Sequence, residues 1–476
     1  MTRQTVPVTD AHYDLIIIGT GSGNSIIGPE MDGWRIAVVE RGAFGGTCLN
    51  RGCIPSKMFI HPADLALQAR DGARFGIDTS FQRADWPAIV ERVFGRIDPI
   101  AEGGRRYRHE LPHVDVYEHS AHFVGERTID VGGRRISGDQ VVIAAGARSF
   151  VPAIPGLDRV PFHTSDDIMR VPNLPEHLII LGGGFIAAEM GHVFQALGSA
   201  VTIVNRGHRL LQAEDHDVSH RFTELARERF DLALGATVHS VAATAKGVVV
   251  DLTCDDGRRT IEGQTLLVAA GRIPNSDQLR VEAGGIATDE RGNVRVDQYG
   301  RTSSPGVWAL GDINGRHQLK HMANGEAKVV RHNLSNPHDL RTYDERPAPH
   351  AVFGHPQIGA VGLTEREAQE RRDSTGSQYC VITHPYGDAA YGWAMEDTSG
   401  FCKLIGDPVT RRILGAHVIG HEAANLTQQL VQGIHLQHTA DELATGQIWI
   451  HPALAEVVEV ALIKLVEAFD ATTATG

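Results

Sequence analysis

A short apolar run that passes directly into a glycine-rich turn occurs twice in this chain, as Asp14-Leu-Ile-Ile-Ile-Gly-Thr-Gly-Ser-Gly-Asn24 and as Leu178-Ile-Ile-Leu-Gly-Gly-Gly-Phe-Ile-Ala-Ala-Glu189. Each predicts a buried strand, a tight turn and a helix start, which is the opening of a parallel α/β unit. A second strand closes each copy, at residues 35–40 and 200–205. A chain of 476 residues is too long for one hydrophobic core, so two such units within a larger assembly of domains fit its length.

The first copy has the features of a dinucleotide site. Gly19 and Gly21 permit the turn and let a pyrophosphate approach backbone N–H groups at a helix N-terminus. Glu40 ends the second strand, where a carboxylate accepts hydrogen bonds from an adenosine ribose. Asn24 stands where a third glycine is usual. The competing reading is an ordinary structural turn. In the second copy Gly182, Gly184 and Ala187 fill the fingerprint, and Asn205 takes the place of the carboxylate. Arg206 and Arg209 follow it, which favours a 2′-phosphate and hence NADPH over NADH; a solvated basic loop is the alternative.

Between the two copies lies Gly45-Gly-Thr-Cys-Leu-Asn-Arg-Gly-Cys-Ile-Pro-Ser-Lys57. Cys48 and Cys53, with four residues between them, can close a small disulfide loop. Residues 58–69 read as a helix, so the thiols lie at or near its positive end, where the thiolate is favoured. A thiolate is the species that attacks a disulfide. A metal site would need two more soft ligands nearby, and a structural bridge is disfavoured in a reducing cytosol. No metal is expected. Arg51 sits inside the loop, where it would lower the thiol pKa or contact substrate. Near the other end, His451-Pro-Ala-Leu-Ala-Glu456 offers an imidazole that can protonate a leaving thiol and a carboxylate to orient it. Alone, a His-Pro pair is a capping or turn feature.

Net charge is −13, which argues against a nucleic-acid backbone as partner. No stretch approaches the roughly 18 apolar residues that span a membrane, and the N-terminus has no apolar targeting region, so a cytoplasmic location is expected. Further buried strands are predicted at residues 140–146, 266–272 and 306–312, a linker at 344–349, and a mixed α+β region after it. Residues 470–476 are expected to fray.

Together these segments resemble the FAD-dependent pyridine nucleotide–disulfide oxidoreductases with an active-site dithiol, and the resemblance runs from about Asp14 to Leu465. It implies an α/β fold with two Rossmann-like dinucleotide-binding domains, for FAD and NAD(P)H, and a C-terminal α+β dimerisation domain. The implied boundaries are 1–150 for the first part of the FAD domain, 151–275 for the NAD(P)H domain, 276–345 for completion of the FAD domain and 346–476 for the interface domain. The resemblance places Gly19, Gly21, Gly23, Glu40, Gly46, Thr47, Lys57, Gly146 and Asp312 around FAD. It places Gly182, Gly184, Phe185, Ala187, Asn205, Arg206, Arg209, Gly271 and Arg272 around NADPH. It makes Cys53 the thiol nearest the flavin, Cys48 the interchange thiol, Lys57 and Glu189 an ion pair beside the flavin, and Phe185 a lid on the nicotinamide pocket. His451 and Glu456 would complete the site of the partner subunit in a homodimer.

Within the family, Gly19-Thr-Gly-Ser-Gly-Asn-Ser-Ile26, Phe94-Gly-Arg-Ile-Asp-Pro-Ile100, Tyr391-Gly-Trp-Ala-Met-Glu-Asp-Thr-Ser399 and Leu319-Lys-His-Met-Ala323 are most similar to the branch that reduces mycothione, the disulfide of a cysteine–glucosamine–inositol thiol. Dihydrolipoamide oxidation with NAD⁺, another small-disulfide substrate and a redox-sensing role without turnover are the alternatives.

Overall fold

A computed structural model describes residues 9–475. The readings for residues 1–8 and for Gly476 lie outside them. The first apolar run forms β1 (Ala11–Ile18), and β2 (Ile36–Val39) pairs with it in parallel. Gly19 turns the chain at the end of β1 with φ +101°, and a Cβ there would lie 2.4 Å from the Ala144 carbonyl oxygen, so the turn admits only glycine. The helix expected after this turn does not form. Two short 3₁₀ turns, Ser22–Ser25 and Pro29–Met31, connect β1 to β2 instead. Only four residues separate Gly23 from Gly28, and Ser25 Oγ donates locally to the Ser22 carbonyl at 2.7 Å, so a helical ladder has neither length nor propensity on its side.

Next come α1 (Gly46–Asn50), α2 (Cys53–Asp71) and α3 (Trp86–Glu110), then β3 (Val114–Tyr117), β4 (Ala121–Gly125), β5 (Thr128–Val131), β6 (Arg134–Ile143) and β7 (Ala147–Ser149). The first sheet runs β3-β2-β1-β6-β5-β4. The first half of β6 pairs antiparallel with β5, and its second half pairs parallel with a strand that arrives much later in the chain.

The second apolar run forms β8 (His177–Leu181) and leads into a full helix, α4 (Phe185–Leu197). Then follow β9 (Ala200–Val204), α5 (His216–Arg227), β10 (Asp231–Ala233), the antiparallel strands β11 (Thr237–Thr244), β12 (Gly247–Cys254) and β13 (Gly257–Gly263), and β14 (Thr265–Val268). A four-stranded parallel sheet, β10-β9-β8-β14, results. In both sheets the glycine turn leaves the central strand where the strand order reverses, the crevice in which open α/β sheets bind ligands.

The chain then returns to the first sheet. β15 (Arg272–Pro274) pairs with β7, β16 (Val307–Ala309) joins β6, and α6 (Lys320–Ser335) follows. The remainder is β17 (His350–Val352), β18 (Gln357–Gly362), α7 (Glu365–Thr375), β19 (Cys380–Pro385), α8 (Ala390–Ala394), β20 (Phe401–Asp407), β21 (Arg412–Gly420), α9 (Ala423–His435), α10 (Ala440–Thr445) and α11 (Ala455–Thr475). Its sheet is antiparallel, β17-β18-β21-β20-β19. Helix α11 continues to Thr475, past Asp470 where fraying was expected, with Phe469 fully buried. Among the described residues, no helix is long and apolar enough to cross a membrane.

Lys403 on β20 ties the last sheet to the second dinucleotide unit. Its ammonium is fully buried and lies 2.8 Å from Asp215, 2.6 Å from Asp217 and 2.5 Å from Glu365. Asp215 caps α5 and also accepts from the Glu365 N–H at 3.0 Å. Removing one partner of such a group leaves buried charge uncompensated, at a cost of about 3–5 kcal/mol. Lys403→Met is therefore expected to lower stability by that order in urea unfolding; an unchanged midpoint would contradict the assignment.

Candidate redox site

Cys48 lies in α1 and Cys53 opens α2, whose 19 residues point their positive end at the thiols. Asn50 fixes the loop between them: its Nδ2 donates to the carbonyls of Phe44 at 2.9 Å and Gly46 at 3.0 Å. Both cysteines are free thiols and are hydrogen-bonded to each other. The bond from Cys48 and the nearby Lys57 charge outweigh burial and pull the Cys53 thiol down to about 6. The same bond, reinforced by burial, pushes the Cys48 thiol up. The reduced pair thus holds one negative charge on Cys53 and one proton on Cys48.

The two cysteines line a cavity of about 1720 Å³, larger than the roughly 300–1,000 Å³ of a drug-sized site and suited to a dinucleotide. The first glycine turn and the redox loop form one wall together. A Cβ on Gly46 would lie 2.6 Å from Gly21 Cα, so the two backbones touch and leave no space for a side chain. Glu40 Oε2 accepts from the Thr20 N–H at 2.9 Å and the Thr20 hydroxyl at 2.8 Å, while Oε1 accepts from the Gly42 N–H at 2.9 Å. Asp312 follows β16 on a turn held by Glu326, which accepts from the Gly311 N–H at 2.7 Å and from Asn314 at 3.0 Å. Burial pushes the Asp312 carboxyl up. It faces the cavity and needs hydroxyl or N–H donors from a ligand. A glycine cradle, two carboxylates suited to ribose or polyol hydroxyls and an adjacent dithiol together fit FAD.

Lys57, one turn into α2, bonds both oxygens of Glu189 on α4, at 2.7 and 2.8 Å. Glu189 also accepts from the Phe353 N–H at 3.1 Å, and the ammonium sits 4.5 Å over the Phe353 ring. Phe185, at the start of α4, is 48% exposed and lines the same cavity. Thr47, Gly146 and Arg272 line it too, and Arg272 donates to the Ala147 carbonyl at 2.6 Å. Gly23 is buried behind the turn, against Ala144. Gly271 adjoins Arg272 without lining the cavity.

Other expected residues lie elsewhere. Gly182, Gly184 and Ala187 form the second turn and the start of α4. Asn205, at the end of β9, spends its amide on the carbonyls of Gly207 at 3.0 Å and Arg209 at 2.8 Å, so it shapes the loop. Arg209 donates to His216 at 2.8 Å, and Arg206 is exposed. Arg51 does line the cavity of the dithiol, 3.5 Å from Asp166 and beside Gly42. His451 Nδ1 and Glu456 Oε1 are 2.6 Å apart, and Glu456 also accepts from the Ala453 N–H at 3.1 Å. The pair is absent from the cavity, and the imidazole is 73% exposed. Phe353 and Lys320 are both in the cavity wall; Phe353 lies in no motif, and Lys320 belongs to the Leu319–Ala323 segment, which the sequence singled out without assigning the lysine a role. Among the described residues, no group of three or more His, Cys, Asp or Glu is placed to hold a metal.

The chain matches two family models: pyridine nucleotide-disulphide oxidoreductase over residues 13–327, and the dimerisation domain of that family over residues 348–462. It is 47% identical to mycothione reductase of Mycobacterium tuberculosis across 464 residues, covering 95% of this chain and 99% of the relative. It is 32% identical to glutathione reductase of Burkholderia cepacia, covering 93% and 97%. Among solved structures, the HOCl-induced flavoprotein disulfide reductase RclA from Escherichia coli superposes with a TM-score of 0.82 at 29% identity, covering 96% of this chain and 99% of that one.

The electrostatics of the dithiol predict its titration. Followed by thiolate ultraviolet absorbance, the reduced protein should lose the first proton of the pair near pH 6, and Lys57→Met should move that midpoint upward. A first ionisation at the ordinary thiol value of about 8.5 would contradict the arrangement.

Proposed function

Because the chain belongs to the pyridine nucleotide-disulphide oxidoreductase family, whose members use FAD and NAD(P)H, we propose that it reduces mycothione to two molecules of mycothiol with NADPH as electron donor. The observation that carries this reading is the hydrogen-bonded Cys48–Cys53 pair in the wall of the dinucleotide-sized cavity. The similarity to mycothione reductase over nearly the whole chain supports the substrate, and exposed Arg206 beyond β9 supports the 2′-phosphate of NADPH. In this reading residues 1–150 and 276–345 hold FAD, 151–275 hold NADPH and 346–476 form the interface of a homodimer, working in the cytoplasm.

FAD, which the walls at Gly19, Gly21, Glu40, Gly46 and Asp312 would hold, would supply the redox chemistry that links NADPH to the Cys48–Cys53 disulfide. The chain's own groups do the rest. Reduction opens the disulfide and leaves the charge on Cys53, where the Cys48 hydrogen bond and Lys57 stabilise it. The Lys57–Glu189 pair fixes the cation beside the thiolate. Loss of the Cys48 proton to an imidazole gives the attacking thiolate. Cys48 Sγ bonds to one sulfur of mycothione, and the other sulfur leaves as a thiolate. His451 of the partner subunit returns the proton to it, oriented as its hydrogen bond to the carboxylate dictates. Cys53 then attacks Cys48 Sγ, expels the second mycothiol and restores the disulfide. Two electrons enter and two thiols leave per turn.

Cys48→Ala is expected to abolish mycothione reduction while retaining bound flavin and hydride transfer from NADPH to it, followed in single-turnover absorbance. Undiminished mycothione turnover in that variant would defeat the mechanism. Arg206→Ala should lower kcat/KM for NADPH about 10- to 100-fold and leave NADH unchanged; an equal loss with both coenzymes would assign Arg206 another role. A panel of NADPH oxidation against mycothione, glutathione disulfide and lipoamide tests the substrate, and preference for either of the latter two would overturn it.

A further inference from the structure

The two lysines of the cavity wall differ in their partners. Lys57 is neutralised by Glu189. Lys320, the first residue of α6, is half-buried, and among the described residues no carboxylate lies within ion-pair distance of it. Its Nζ donates to Ser22 Oγ at 3.1 Å. Ser22 lies between Gly21 and Gly23 in the first glycine turn, is itself buried, and its hydroxyl donates to Asn324 Oδ1 at 3.0 Å. Lys320 and Asn324 are one turn apart on α6, so the start of this helix is clamped onto the glycine turn through one hydroxyl. An ammonium has three donors, and Ser22 uses one.

A part-buried cation that makes no ion pair and sits on a phosphate-type turn is well placed to receive an anion from the ligand. We propose that Lys320 is the residue that holds the diphosphate of FAD, adding a side-chain charge to the backbone N–H groups of the glycine turn. The proposal rests on FAD as the occupant of the cavity. It also explains how the first copy manages without an α-helix after its turn: Ser22–Ser25 is only a 3₁₀ turn and supplies little dipole, and the ammonium of a different helix makes up the positive potential. The same charge lies close enough to Cys48 and Asp312 to favour their ionised forms.

The test is release of FAD from the holoenzyme, read as recovered flavin fluorescence after dilution, with no disulfide substrate present. Lys320→Met should release FAD about tenfold faster or more at low ionic strength, and the gap to the unmodified protein should narrow as salt is raised. Lys320→Arg should stay near the unmodified protein. Lys320→Gln, which keeps a donor for Ser22, serves if the methionine variant fails to fold, and should behave as the methionine variant does. Release as slow as in the unmodified protein, or an acceleration that salt does not change, would overturn the proposal and leave Lys320 a structural clamp. Because no turnover is measured, failure of mycothione as substrate would not imitate either result.

Discussion

Everything at the site follows from the backbone of Gly46 lying against the backbone of Gly21. The first residue is the start of α1 in the redox loop and the second belongs to the turn at the end of β1. Any side chain at Gly46 would force them apart. With the contact in place, the loop that carries Cys48 is part of the same wall as the first glycine turn. The two sulfurs and the glycine turn therefore cannot move independently. The long returns of the chain, β15 onto β7 and β16 onto β6, close this wall from the other side and bring Asp312 into it.

Charge placement then divides labour between two chemically identical thiols. Cys53 begins a long helix and lies near Lys57, and it takes the negative charge. Cys48, in a five-residue helix of its own, keeps the proton. Glu189 limits this effect, since it neutralises Lys57 and opposes the Cys53 thiolate. The ion pair spans α2 and α4, so the start of the second dinucleotide unit is registered against the redox loop. Lys403 makes a second, fully buried connection between that unit and the last sheet. The exposed His451 imidazole and its half-buried partner Glu456 lie outside this cavity.

Much of this was legible in the residues because it depends on local pattern. The two apolar runs, their glycines and the dithiol segment fix strand, turn and helix start with little help from distant parts of the chain. The helix after the first turn was not, because a regular fingerprint is easier to see than the four-residue gap between Gly23 and Gly28 that prevents it. Asn205 reads as a ligand-facing residue from its place at a strand end, yet its amide is used to tie down the loop. Lys403 and its three carboxylates, like Lys320 on Ser22, join residues separated by 38 to 298 positions. Such pairings carry no periodicity and become visible only when the topology brings the elements together.

The central claim is that electrons leave the cofactor through Cys48 and Cys53. Anaerobic addition of one equivalent of NADPH to the oxidised holoenzyme, with thiols counted by alkylation and mass spectrometry, measures this directly. The account predicts two new thiols per chain, both mapped to Cys48 and Cys53, while the flavin absorbance returns to its oxidised form. Flavin that stays bleached with no new thiol at either position would contradict it.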